Sequence, residues 1–269
     1  MPILSRFDDD HVTRLHLALC LFLVASIGVF LPAMVLDPRV LDSSPVWLKP
    51  QKFNVSLALH FLTIAALAQL LPRDTRNGPV MLVASYLAAV ALFIEYLHIT
   101  IQAGRGRRSH FNFETQFEAL MYAAMGVGAV LLVLVALVLA IQLWRKGDRS
   151  GPGLWCGSVV GLSLGFAVTL LFASYMSSTG RYVGAPLEGG GAVIPFFGWS
   201  REYGDLRPSH FVSLHLMQTV PLAGWLADRR GWNWKWVVAG VATVQTVLAT
   251  LLFLQARAGH PFWPIQGAA

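Results

Sequence analysis

The chain has 269 residues, of which 55% are hydrophobic and 13% charged, and its mean hydropathy is +0.58. A net charge of +6 and a pI near 9.7 would suit a nucleic-acid partner, but the basic residues are dispersed over alternate loops, so anionic lipid headgroups account for them and nucleic acid is excluded. Cys20 and Cys156, the only cysteines, lie in or beside separate apolar runs and support neither a disulfide scaffold nor a thiolate metal cage.

Charges are sparse in seven apolar stretches of about 20 residues, the length that spans a bilayer core. They cover residues 13–36, 53–71, 79–102, 115–143, 153–176, 209–227 and 234–257. In hydrocarbon each backbone amide needs a partner within its own segment, so the expected fold is all-α: seven transmembrane helices in one bundle, a single domain over 1–269. A soluble protein would need amphipathic surface helices to cover so many apolar ones, and none is visible.

Helix one follows Asp8, Asp9 and Asp10 and has no small-residue cleavage pattern, so it is read as retained rather than as a signal peptide. Helix two carries a polar stripe, Ser56, His60 and Thr63, at i, i+4, i+7, and helix three carries Glu95, His98 and Gln102 at i, i+3, i+7. Between helices three and four runs Gly104-Arg105-Gly106-Arg107-Arg108-Ser109-His110-Phe111-Asn112, and Thr115 with Glu118 forms a capping box for helix four. After helix five comes a long segment from Ser177, with glycines 189–191, an apolar run from Ile194 to Trp199, and Asp205 with Arg207. Its aromatic content argues for order, and we expect it to cap the outer mouth of the bundle.

Pro208 suits the first turn of helix six, which carries His210, His215 and Gln218, and Pro221 is expected to kink it. Helix seven has no interior lysine for a retinal Schiff base. The tryptophans fall mostly near helix ends, as an interfacial belt requires. Lys and Arg divide equally between the two sides, but those on the amino-terminal side occupy the shorter turns. That favours a cytoplasmic amino terminus and a periplasmic carboxy terminus.

At 1.5 Å per residue, His60, Glu95, His98 and His215 all lie roughly 6 to 10 Å below the same side of the membrane, with His110 and His210 at the mouth. An ionisable group at such depth costs several kcal/mol unless it is paired, ligated or wetted. A lone intramembrane histidine is often hydrogen-bonding glue between helices. His16, Glu118 and Tyr122 are read as structural, and His11 and His260 as ordinary terminal residues.

Glu95, His98 and His215 are the preferred metal ligands, followed by His110, His210 and His60; imidazoles with a carboxylate suit Fe, Cu, Zn or Mn. Gln102, Asp205 and Gln218 would orient the imidazoles. Two facing imidazoles would instead hold haem b, with Arg105, Arg107, Arg108 or Arg207 on its propionates. The leading functional expectation is redox chemistry on a quinone, another lipid-soluble molecule or a small substrate. A zinc-dependent lipid hydrolase, with Glu95 or Asp205 as base, is the second. A proton-coupled transporter, or a structural subunit in a membrane complex or homo-oligomer, is the third. No H-E-x-x-H, G-x-S-x-G, Walker A or Rossmann glycine pattern occurs.

Three strings carry a resemblance: Trp47-Leu48-Lys49-Pro50-Gln51-Lys52-Phe53; Arg105-Gly106 followed by Ser109-His110-Phe111-Asn112; and Gly198-Trp199-Ser200 through Gly204-Asp205-Leu206-Arg207-Pro208 to His210-Phe211 and Leu214-His215. Together they resemble an uncharacterised family of bacterial multi-pass integral membrane proteins, across most of the chain. The resemblance implies a bacterial inner-membrane location and no particular activity.

Overall fold

Apolar runs of this length satisfy their backbone only by coiling on themselves, and the computed structural model, which describes residues 10–185 and 191–264, is mostly helical. In chain order it contains α1 (His11–Leu36), β1 (Val40–Leu41), β2 (Ser44–Pro45), α2 (Leu48–Ala68), α3 (Arg73–Arg76), α4 (Pro79–Gly104), α5 (Gln116–Lys146) and α6 (Pro152–Thr179). There follow β3 (Tyr182–Val183), β4 (Gly204–Asp205), α7 (Arg207–Leu214), α8 (Leu216–Arg230) and α9 (Trp234–Arg257). Among the described residues five helices, α1, α4, α5, α6 and α9, are long and apolar enough to cross a membrane. Their outward residues, such as Leu21, Val35, Val83, Leu97, Val244 and Leu251, are exposed. Water penalises such a surface and lipid does not, so this is a helical membrane-type protein.

Helix ends follow local chemistry. Asp10 caps α1 by accepting from the Thr13 amide, and Thr115 caps α5 by accepting from the Glu118 amide. The second half of the capping box is absent, because the Glu118 carboxylate is engaged elsewhere. At the end of α4 Gly106 adopts φ 66°, which lets the Arg107 amide reach back to the Gln102 carbonyl at 2.9 Å.

Three sequence expectations are corrected. Two small antiparallel ribbons, β1–β2 and β3–β4, sit in the loops, so the chain is not purely helical. Asp42 and Ser43 turn the first ribbon with φ of 51° and 61°, the pair of positive values that a two-residue hairpin needs. Helix α2 begins at Leu48 rather than 53, because Pro50 falls in its first turn where no amide is required; Lys49 and Lys52 therefore stand on the helix. The expected sixth helix is two, α7 and α8, interrupted at His215, while α8 runs unbroken through Pro221.

The helices pack α1 on α2 and α4, α4 on α5, α5 on α6, and α6 on α8 and α9. The tightest approach follows from a repeat along α6: Gly153, Gly157, Gly161 and Gly165, at i+4 intervals, line up against α8. A Cβ on Gly157 would stand 2.6 Å from the Val220 carbonyl oxygen, and one on Gly161 2.6 Å from that of Leu216. Small residues let backbones meet in this way within membranes.

Polar contacts gather at two ends of the helices. One gathers Asp10, Gln69, Arg76, Asp148 and Asp228: the Asp148 amide donates to Leu70, and Asp228 accepts from the amides of Gly153 and Leu154. The opposite, cap end gathers the ribbons, the α4–α5 loop and the start of α2. Gly161→Val should lower the unfolding temperature in detergent, an overpacking cost of about 1–3 kcal/mol, whereas Gly240→Val, with open space around it, should not. Equal effects would mean that α6 and α8 are not in direct backbone contact.

Candidate functional site

Glu95 lies on the inward face of α4, 1% exposed, with its carboxylate turned to Gly128 of α5. A Cβ on Gly128 would be 3.1 Å from Glu95 Oε1, so the glycine makes the room. Both carboxylate oxygens are buried, and neither accepts a hydrogen bond from the described residues. His110, from the α4–α5 loop, places Nε2 3.9 Å from Glu95 Oε2. Lys49 of α2 is within electrostatic reach of both; its ammonium stands 5.9 Å from the Phe53 ring centre, and that ring is 5.7 Å from the His110 ring. Burial, reinforced by the charges of Lys49 and His98, holds the His110 imidazole well below its ordinary 6.5. It is neutral at pH 7, able to accept a proton on one nitrogen and donate from the other.

The remaining expected residues have other partners. His98 lies beside the Ser109 backbone, its Nε2 buried without a hydrogen bond. Gln102 orients no imidazole: its amide donates to Glu118 Oε2 at 2.6 Å and to the Arg108 carbonyl at 3.2 Å, and its oxygen accepts from Arg105 at 3.0 Å. Arg105 and Arg107 hold the Glu118 carboxylate at 3.5 and 3.6 Å. Glu118, set aside in the sequence, is thus the fixed anion of the α4–α5 junction.

Gln218 does orient an imidazole, its Oε1 lying 3.2 Å from His215 Nδ1 while its amide reaches Thr63 of α2 at 3.3 Å. His215 packs edge-on against Phe211, at 4.4 Å between ring centres. His210 Nδ1 is buried without a partner. His60 lies against the Leu132 backbone on α5 and the edge of Phe61, with Nε2 unpartnered. Asp205 is no free base: it accepts from the Ser200 amide and from both the backbone and side chain of Arg207, at 2.6 to 3.0 Å.

Among the described residues no three His, Cys, Asp or Glu are disposed to hold a metal ion. Glu95 and His98 of α4 have neighbours different from those of His215, so the expected Glu95–His98–His215 ligand set is not assembled. His215 turns to Gln218 and Phe211 instead, because the helix breaks at that residue.

The cap is tied down by charge. Asp42, in the β1–β2 turn, accepts from Arg108 at 2.6 Å and Arg181 at 2.5 Å. Arg207 donates to the Gly198 carbonyl at 2.6 Å and the Tyr182 hydroxyl at 3.0 Å. Lys52 donates to the Phe197 carbonyl at 3.0 Å, and Phe197 packs on Trp199 and Phe211. The expected apolar run of the cap therefore sits over the start of α2 and α7; glycines 189 and 190 of its glycine stretch lie outside the described residues. A start of helix two at residue 53 leaves Lys49 and Lys52 before it; Pro50, suited to a first turn, is the sequence signal that places them on the helix.

No known protein family, curated protein or solved structure matches this chain.

Burial pushes the Asp42 carboxyl up, but the hydrogen bonds and charges of Arg108 and Arg181 outweigh it and hold the group below its ordinary 3.8. A carboxyl depressed on folding contributes stability above its unfolded value and loses it as pH falls through the folded one. Asp42→Asn should therefore cost about 1 kcal/mol at pH 7, reduced by the solvent that reaches Arg108. Hydrogen exchange should speed up in 39–46 and 105–110, with the mutant and wild type converging in acid below the ordinary carboxylate range. No difference at pH 7 would mean the two arginines do not anchor the turn.

Proposed function

We propose that this chain crosses a bacterial inner membrane seven times, amino terminus in the cytoplasm and carboxy terminus in the periplasm, and acts as a proton-coupled transporter. Glu95 and His110 would exchange the coupled proton. The two crossings beyond the five apolar helices are α2 and the α7–α8 pair, whose polar side chains face other helices: Gln218 reaches Thr63, Gln51 donates to the Ile27 carbonyl, and Thr169 meets Ser213.

The observation that carries the reading is the Glu95 carboxylate, buried with no hydrogen-bond donor and 3.9 Å from a neutral imidazole. At that depth a carboxylate needs a proton or a cation. A proton taken up by the Glu95 carboxylate neutralises it without a ligated ion, and one passed on from Oε2 to His110 Nε2 moves charge within the pair while leaving its total unchanged; Lys49 stabilises the anionic form of Glu95. A redox centre built on Fe, Cu, Zn or haem b, acting on a quinone or lipid, is the weaker reading, since its preferred ligands have separate partners.

Two measurements test this. In a background lacking Cys20 and Cys156, Val40→Cys and Glu202→Cys should label from one side of the membrane, and Asp74→Cys and Arg230→Cys from the other. Labelling of Val40→Cys and Asp74→Cys from one side would remove α2 as a crossing. In vesicles with an internal pH dye, a valinomycin-driven potassium gradient should draw protons through the wild type, at least tenfold faster than through Glu95→Gln. Equal rates in the two would contradict the proposal, as would a stoichiometric metal or Soret band in wild type that Glu95→Gln loses.

A further inference from the structure

The proton-exchanging pair near the cap accounts for one buried ionisable cluster but leaves two histidines on the other side of the core unexplained. His16 of α1 is 0% exposed, and both its ring nitrogens are buried without a hydrogen bond among the described residues. His60 of α2 is 4% exposed with Nε2 likewise unpartnered. Leaving such nitrogens unsatisfied costs on the order of 1–3 kcal/mol each, and apolar side chains would fill the space without that cost.

Their positions are ordered. His16 and His60 pack against the same ring, Phe61, at 5.7 and 5.5 Å between centres and near edge-on, and they are within electrostatic reach of each other. On its far side His60 lies against the Leu132 backbone, one turn of α5, or roughly 6 Å, from Gly128, which holds the Glu95 carboxylate. Glu95 leads to His110, which is 23% exposed beneath the cap.

In the opposite direction His16 is within electrostatic reach of Asp10. Asp10 forms a buried ion pair with Arg76 of α3 at 2.8 Å, both side chains 1% exposed, and accepts from the Thr13 amide and hydroxyl. It also lines an open cavity of about 470 Å³ with His11, Arg14, Arg73, Asp74 and Asn77 at the amino-terminal end. The groups facing His16 are thus Asp10 on its own helix and His60 on α2; α4 offers the uncharged Ser85, buried and unpartnered.

We infer that His16, His60, Glu95 and His110 form one proton path to the cap, entered beside Asp10 from the open amino-terminal cavity. The inference rests on the reading of Glu95 and His110 as a proton-exchanging pair in a membrane-spanning protein. Each imidazole takes a proton on one nitrogen and gives one up from the other, and the Glu95 carboxylate accepts a proton and passes it on, while Asp10, engaged by Arg76 and Thr13, fixes the entrance. No electron moves and no bond other than N–H and O–H changes. Both faces of the membrane then reach the same carboxyl, Glu95, which is what a coupled carrier requires of its proton site.

The test reads Glu95 from each side. In vesicles with uniform protein orientation, the infrared carbonyl band lost in Glu95→Gln is followed by stopped flow after a pH step on one face, with the other face clamped. In wild type the band should respond to a step on either face. His16→Gln and His60→Gln, which keep a polar side chain but relay no proton, should slow the response to the Asp10 side at least tenfold and leave the response to the cap side unchanged. His16→Phe, which fills the same space, is the second variant should glutamine fail to insert. A wild-type band that follows only the cap side, or an undiminished response in the His16 and His60 variants, overturns the path while leaving the Glu95–His110 pair intact. A band that follows neither side overturns the pair itself.

Discussion

Glu95 stands between α4 and α5 where Gly128 leaves space for its carboxylate and no donor comes to meet it, and a group in that condition must be matched by a proton or a cation at a cost of several kcal/mol otherwise. The surrounding architecture answers that constraint. The α4–α5 loop folds back so that His110 approaches at 3.9 Å, and α2 starts early enough to bring Lys49 within reach. Glu118, by contrast, is saturated by Gln102, Arg105 and Arg107. Two glutamates at one helix junction therefore have opposite fates: one fixes the loop, and the other keeps its oxygens available.

The same division runs through the cap. Asp42 and Asp205 are occupied by arginines and backbone amides, so they position the ribbons and do no proton chemistry. Their pairing, with the Phe197–Trp199–Phe211 cluster, fixes the loops over the starts of α2 and α7. The glycine stripe of α6 does related work on the other flank by holding α8, and with it Gln218 and His215, at a fixed distance.

The helices were legible because their signal is one-dimensional: twenty uncharged apolar residues span a bilayer whatever their neighbours are. Pro79, Pro152 and Trp234 begin helices close to where hydropathy alone places them. What failed was whatever depends on rotation between helices. Equal depth placed Glu95 level with His215, but depth does not say which helices are adjacent, and each found a different partner. The chain breaks at His215, where the sequence carries no helix-breaking residue, while Pro221 lies inside the continuous α8. His16 looked structural because its own helix offers it no polar stripe, and only packing against Phe61 relates it to His60. The Gly153-Gly157-Gly161-Gly165 spacing was present in the sequence and marks a close helix contact by the small-residue rule alone.

The central claim, that Glu95 shares its proton with His110, is most directly tested by nitrogen-15 NMR of histidine-labelled protein in lipid across pH 4 to 9. Glu95→Gln should displace the His110 ring resonances and their titration while leaving those of His215 in place. Unchanged His110 resonances, or movement of His215 instead, would contradict the pairing.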